Sequence, residues 1–204
     1  MEGCGRRART LVAVIETLRN QIVEYDRRIA ELVESHPEGS LFGSLPGAGP
    51  VLTPRLIVAF GTQRERFASA EEVQRLSGIA PVTEKSGKSK YVHIRRACPK
   101  FLRQTFHEFA DHSMARSGWA KAYYDAQRAK GNGHHAAVRS LSYKWIRIIF
   151  RCWKDGRPYD EETYLRSLQR RHSLLFGTLA ITTGVGWKTV SGFQKFSGES
   201  LLTE

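Results

Sequence analysis

The sequence predicts a mostly α-helical protein, in which an N-terminal coiled-coil helix precedes a compact helical domain with a turn of helix-hairpin-helix type and a small basic β arm. Two observations predict this fold class. Apolar residues recur at helical spacing in the first 34 residues and again between residues 101 and 153. Residues 85–103 instead interleave basic and apolar side chains around a Ser-Gly pair. We expect the coiled-coil helix in residues 1–37, the helical domain in 41–165, and a poorly ordered tail in 172–204, which is rich in Gly, Ser and Thr.

The first segment carries a heptad pattern of apolar residues. The narrow seam favours a coiled coil that pairs two chains through residues 11–33, because a helix that packs on its own domain usually shows a wider apolar stripe. The alternative, an amphipathic helix that packs on its own domain, stays open. The seam consists of residues spaced alternately four and three apart: Leu11, Ile15, Leu18, Ile22, Tyr25, Ile29 and Leu32.

The overall charge points to an anionic partner. The chain has 204 residues, and its 32 Lys and Arg against 20 Asp and Glu give a net charge of +12. Such an excess favours nucleic acid over a membrane surface, with a basic protein that has no anionic partner as the remaining alternative. The three cysteines are scattered and form neither a disulfide framework nor a metal-binding pair. No signal peptide or long apolar stretch is evident, so we expect a cytoplasmic protein that does not enter a membrane.

A glycine-rich turn precedes the first apolar helix of the predicted domain. Gly47 and Gly49 stand in the run Leu45-Pro-Gly-Ala-Gly-Pro, directly before an apolar segment from Val51 to Phe60. Glycine allows the backbone to approach a ligand closely, and amides at the start of a helix can face a phosphate. The turn is therefore a candidate DNA contact of helix-hairpin-helix type. A plain turn between two helices explains the pattern equally well.

Residues 85–103 form the densest basic tract of the chain. They include seven basic residues and no acidic one, with Tyr91, Val92 and Ile94 interleaved as in a short strand. A surface that contacts phosphates explains this pattern better than a solvated face that happens to be basic. The candidate DNA-binding residues of the tract are Lys85, Lys88, Lys90, Arg95, Arg96, Lys100 and Arg103.

Ser86 is the candidate nucleophile within this tract. It precedes Gly87, and the surrounding cations could orient a phosphodiester and stabilise the negative charge of a transition state. A Ser-Gly pair in a loop is also an ordinary turn, so a structural role stays open. No metal site is predicted, because His134 and His135 have no further ligand at suitable spacing and the carboxylates are scattered.

Several motifs in order make the chain resemble one family. They are Leu45-Pro-Gly-Ala-Gly-Pro, Phe67-x-Ser-Ala-Glu-Glu, Gly78-Ile-Ala-Pro, Lys85-Ser-Gly-Lys, Arg95-Arg96 and Leu102-Arg103, followed by Tyr123-Tyr124, Gly131, Lys144 and Tyr159-Asp160. Together, over about residues 1–165, they resemble the C-terminal domain (Transposase-20 type) of the IS110 family of insertion-sequence transposases. These are serine-dependent DNA recombinases that are guided by a bridge RNA.

The resemblance implies a function and its parts. The family's serine attacks DNA and forms a phosphoserine link, and it matches Ser86; the heptad helix matches the family's coiled coil. DNA is the implied partner, with a guide RNA as a second one. The family also has an N-terminal RuvC-like nuclease domain, whose acidic residues are absent from this chain. We therefore expect no cofactor in this chain, and Mg²⁺ only with that domain.

Three departures from the family pattern leave a second function open. The chain begins at the coiled coil, Ala97-Cys98-Pro99 replaces a glycine-led turn, and the tail matches nothing in the family. The main expectation is a DNA-binding recombinase domain that acts through Ser86. The alternative is a truncated, non-catalytic nucleic-acid-binding remnant that dimerises through its N-terminal helix. A helical dimerisation protein with incidental charge is the third interpretation.

Overall fold

The computed structural model describes residues 2–170, so the predicted tail lies outside the described residues. These residues form eight α-helices, one two-stranded antiparallel sheet and a single turn of 3-10 helix at Arg64–Arg66. The mostly α class, the long N-terminal helix and the small β arm are thereby confirmed. The elements are α1 (Glu2–Ser35), α2 (Gly39–Gly43), α3 (Gly49–Phe60), α4 (Ala70–Leu76), β1 (Pro81–Ser86), β2 (Ser89–Ile94), α5 (Lys100–Ser113), α6 (Gly118–Ala129), α7 (His134–Asp155) and α8 (Glu161–Arg170).

Helix α7 lies at the centre of the domain and packs against α4, α5 and α6. Its apolar positions recur every three or four residues, and Trp145, Ile149 and Trp153 are completely buried. The Trp153 ring lies 5.5 Å from the ring of Phe60, and its indole N–H donates to the carbonyl of Gly61 at 2.7 Å. Such satisfied indoles let large aromatic side chains fill the core without an unpaired polar group.

The seam of α1 does not pack on the described part of the chain. Leu11 is 62% exposed and Ile22 is 59% exposed, and the other seam residues are also open to solvent. Close to its end, α1 meets the domain, where the half-buried Val33 packs against the core. The helix therefore presents an apolar stripe without a partner among residues 4–170.

The two-stranded sheet forms an arm, which we call the basic arm (residues 81–94). Gly87 and Lys88 form the turn between β1 and β2, and Gly87 adopts a φ of +56°. Every residue of the arm is exposed except Val82, which is half-buried. Among the helices of residues 2–170, none is long and apolar enough to cross a membrane.

Candidate nucleic-acid interface

The register of the basic arm separates its side chains onto two faces. Residues that pair across an antiparallel ladder point to the same side of the sheet. Lys85 pairs with Lys90, so both ammonium groups lie on one face, together with the pair Thr83 and Val92. Ser86 pairs with Ser89 and lies on the opposite face. The arm therefore presents a cationic face and a hydroxyl-bearing face, joined by the turn at Gly87 and Lys88.

The face that carries Ser86 also holds titratable groups. Glu84 pairs with Tyr91 on this face, and His93 occupies the next position along it. The Nε2 atom of His93 lies 3.5 Å from Oε1 of Glu84. The sequence tract therefore places a hydroxyl, an imidazole and a carboxylate along one exposed surface, although no hydrogen bond joins Ser86 to either of the other two groups in the described structure.

The seven predicted DNA-binding cations differ in their surroundings. Five of them are exposed, namely Lys85, Lys88, Lys90, Arg96 and Lys100, whereas Arg95 and Arg103 are half-buried. The guanidinium of Arg103 donates to the carbonyls of Arg95 and Arg96, the latter at 3.1 Å, and contacts Sγ of Cys98 at 2.6 Å. Arg103 therefore fixes the chain where it leaves the arm, a role that the sequence did not reveal.

The two glycines of the predicted turn have different environments. Gly47 has a φ of +83°, and a Cβ atom there would lie 2.9 Å from the carbonyl carbon and oxygen of His112 in α5. Its close approach is thus to the protein's own backbone. Gly49 is exposed, has a φ of +55°, and has nothing within 4 Å of a Cβ position. Gly49, at the start of α3, is the one of the two that has room for a ligand beside it.

Three cations of α7 were not among the predicted binding residues, namely Arg139, Lys144 and Arg147. Arg139 and Lys144 are half-buried and Arg147 is exposed, and none forms an ion pair with a described residue. The Lys144 ammonium lies 4.8 Å from the centre of the Tyr123 ring. Burial lowers the pKa of Lys144, and the charge of Arg147 lowers it further.

Histidines cluster where α7 begins. The rings of His134 and His135 lie 5.0 Å apart, and the ring of His107 lies 5.8 Å from that of His135. Tyr124 Oη and His134 Nδ1 share a hydrogen bond of 2.9 Å. Within the part of the chain that the structure describes, no group of three or more His, Cys, Asp or Glu side chains is arranged to hold a metal ion.

Comparison with known proteins places this domain in a family. Residues 39–125 match the model of the transposase family IS116/IS110/IS902. The insertion element IS110 uncharacterized 43.6 kDa protein of Streptomyces coelicolor is 30% identical over 152 residues, which cover 74% of this chain and 37% of that protein. The insertion element IS900 uncharacterized 42 kDa protein of Mycobacterium paratuberculosis is 27% identical over 75% of this chain and 39% of its own length.

A further relative has a name that describes a DNA rearrangement. The pilin gene-inverting protein of Moraxella bovis is 26% identical over 152 residues, which are 71% of this chain and 47% of the relative. The chain thus spans less than half the length of each of the three relatives, from S. coelicolor, M. paratuberculosis and M. bovis. The matched segment, 39–125, contains the glycine turn, the basic arm and helix α5. Residues 39–125 of the chain belong to the IS116/IS110/IS902 family of transposases.

Proposed function

We propose that the chain binds DNA and cleaves and rejoins its strands in transposition, with Ser86 as the nucleophile. The observation that carries the proposal is the position of Ser86 at the end of β1, on an exposed arm beside Lys88 and next to Lys85. A strand of DNA could reach the hydroxyl from solvent without any rearrangement of the core. The family match supports the class of reaction, and the relative that inverts a pilin gene fits strand exchange.

The reaction needs no reactant other than the DNA. Ser86 Oγ attacks a backbone phosphorus, and an ester bond forms while the bond from phosphorus to one deoxyribose oxygen breaks. The serine proton passes to solvent water, and the departing oxygen takes up a proton from solvent. Attack by a deoxyribose hydroxyl reverses the step and rejoins a strand. Lys88, in the turn next to Ser86, would stabilise the added negative charge on the phosphate, whereas Lys85 and Lys90 on the opposite face would contact other phosphates of the DNA.

We propose that two chains pair through α1. The heptad register assigns Ile15, Ile22 and Ile29 to position a, and it assigns Leu11, Leu18, Tyr25 and Leu32 to position d. β-branched residues at a with leucine at d favour a parallel two-stranded coiled coil. The exposure of this seam in the single chain supports the pairing, because an apolar stripe of this length is rarely left in water.

Covalent capture of DNA tests the catalytic part. We incubate the full chain with an end-labelled duplex that carries a nick, and we measure label that remains on the protein in denaturing gels. The wild type should form an adduct that protease removes, and Ser86→Ala should form none. Lys88→Ala should weaken binding yet retain some capture. An adduct from Ser86→Ala at the wild-type level, or no adduct from the wild type, would overturn Ser86 catalysis in this chain.

The salt dependence of binding tests the DNA-binding part, which the catalytic and non-catalytic functions share. Replacing Lys85 and Lys90 with Ala should make the plot of log affinity against log salt shallower by up to about 2, since each phosphate contact contributes about 0.9 to the slope. Arg151→Ala is the matched control, because Arg151 is an exposed cation that is paired with Asp155 at 2.5 Å. An unchanged slope for the lysine variant would place the DNA elsewhere. If the chain binds DNA but never captures it, the non-catalytic alternative holds.

A further inference from the structure

One face of the basic arm is clear of the rest of the domain. The cationic face carries the side chains of three cross-strand pairs, which are Pro81 with Ile94, Thr83 with Val92, and Lys85 with Lys90. All six of these residues are exposed. Val82, the one half-buried residue of the arm, lies on the opposite face, so the domain approaches the arm from that side. The cationic face is therefore open along its whole length in the described part of the chain.

The chemistry of the cationic face changes along the arm. Val92 is 59% exposed and Ile94 is 44% exposed, and together with Thr83 they present methyl groups toward the base of the arm. The pair of lysines follows toward the turn. The only acidic residue in the sequence of the arm, Glu84, lies on the opposite face. The cationic face thus combines methyl groups with positive charge and has no carboxylate.

The major groove of B-form DNA offers a partner with matching chemistry and shape. This groove is about 12 Å wide and admits a two-stranded β-ribbon, whereas the minor groove is about 6 Å wide. Neighbouring strands lie about 5 Å apart, so the arm fits the wider groove with room for side chains at both edges. The floor of the major groove exposes the methyl group of thymine, and the phosphates of both DNA strands border it.

We infer that the basic arm enters the major groove of B-form DNA with its cationic face toward the bases, where Thr83 and Val92 contact thymine methyl groups. Lys85 stands on β1 and Lys90 on β2, so their long side chains extend to the phosphates of the two DNA strands. A contact between methyl groups removes apolar surface from water, which favours thymine over a base that lacks the methyl group. Thr83 and Val92 are therefore specificity-determining residues of the arm.

This placement keeps Ser86 at the height of the phosphates. A sheet lies about 5 Å above a surface on which it packs, which is half the distance between stacked sheets. The hydroxyls of the opposite face then stand more than about 5 Å above the base edges, in a groove about 8.5 Å deep. Ser86, beside the turn, thus lies near the rim of the groove, where the phosphates are, while Val92 lies on its floor.

This inference rests on the proposed binding of DNA, and the test separates the two. We measure the affinity of the full chain for a duplex of alternating A·T base pairs and for the same duplex with uracil in place of thymine, which removes only the methyl group from the major groove. The wild type should bind the thymine duplex about fourfold more tightly for each methyl group that it buries. Alternating G·C duplexes with and without 5-methylcytosine should show the same preference, since this base also presents a methyl group in the major groove.

Two neighbouring residues on opposite faces connect the preference to the cationic face. Val92→Ala should reduce the ratio of thymine to uracil affinity toward one. Tyr91→Ala is the matched control and should leave the ratio unchanged, although Tyr91 is 64% exposed against 59% for Val92. The ratio is independent of the fraction of folded protein, and both side chains are open to solvent, so neither change should unfold the domain.

The possible outcomes distinguish the groove contact from DNA binding itself. Equal affinity of the wild type for the thymine and uracil duplexes would overturn the groove contact and leave the proposed DNA binding intact. A preference that is lost in Tyr91→Ala but kept in Val92→Ala would place the DNA on the opposite face and would also overturn it. No binding to any of the duplexes would overturn both proposals.

Discussion

Ser86 and Ser89 form the last residue pair of the basic arm, directly opposite each other beside the turn. Side chains of such a pair lie on the same face, with Cβ atoms about 5 Å apart. The arm therefore carries two hydroxyls within reach of the same phosphate, and only one of them follows the Lys-Ser-Gly-Lys motif at the position of Ser86. Replacing each serine in turn therefore separates a specific role of Ser86 from a role that any hydroxyl at the turn could fill.

Ser89→Ala should retain covalent capture of nicked DNA, whereas Ser86→Ala should lose it. Each change removes one hydroxyl and no charge, so non-covalent DNA affinity should change by at most about 1 kcal/mol in both variants. The measurement is the fraction of labelled DNA that remains on the protein in a denaturing gel, with the modified peptide identified by mass spectrometry. Capture that moves to Ser89 in the Ser86→Ala variant would show that the two hydroxyls are interchangeable.

Gly47→Ala should destabilise the protein more than Gly49→Ala. Both residues have a positive φ, which costs an alanine about 1 kcal/mol, but only at Gly47 would the new Cβ collide with the backbone of His112. Urea titrations give the two changes in unfolding free energy. Gly49→Ala also tests the turn as a DNA contact, because it should weaken DNA binding only if the exposed glycine approaches the phosphate backbone. The opposite order of stabilities would contradict the packing of the turn on α5.

Ile22→Asp should dissociate the chains, and Val23→Asp should not. The two side chains are similarly exposed in the single chain, at 59% and 62%, but Ile22 lies in the seam and Val23 lies outside it. A charge in the seam of a coiled coil would have to be buried without a partner, which is strongly unfavourable. Analytical ultracentrifugation at micromolar concentration measures the effect. A wild-type protein that is monomeric there would contradict pairing through α1.

The unfolding free energy should fall as the pH decreases through the histidine range, and His107→Gln should reduce this fall. Burial holds the pKa of His107 below its ordinary value of 6.5. The unfolded chain therefore binds a proton at His107 before the folded chain does, so its contribution is present above about pH 6.5 and is lost below it. The groups that face His107 are His134, His135 and Asp111. Urea unfolding of the wild type and of His107→Gln at about pH 7.5 and 5.5 measures the effect. An equal fall of the unfolding free energy in both proteins would exclude His107 as the cause of the pH dependence.

Local patterns predicted most of the helices. The long helices α5 and α7 follow from apolar residues at helical spacing, and the basic arm follows from Tyr91, Val92 and Ile94 between basic residues. In both cases the signal lies within a dozen neighbouring residues. The register that places Ser86 opposite Ser89 depends on the position of the turn, which the alternation alone left undecided.

Contacts between distant residues explain what the sequence left open. The basic neighbours of Arg103 predict a phosphate contact, yet its guanidinium donates to the carbonyls of Arg95 and Arg96. The sequence predicts that the backbone at Gly47 approaches a ligand, whereas in the structure it approaches the backbone of His112, 65 positions along the chain. A charged residue or a glycine in such a segment indicates a close contact, but only the fold shows which group it contacts.

The exposure of the basic arm on both faces has a consequence for how the family can diversify. A side chain such as Thr83 or Tyr91 buries little against its own domain, so its replacement costs little folding energy. The stability of the fold therefore places little restriction on substitutions in the arm, whereas it restricts substitutions at Phe60 and Trp153, which are buried in the core. Residues 81–94 can therefore change in sequence while the helical scaffold stays the same.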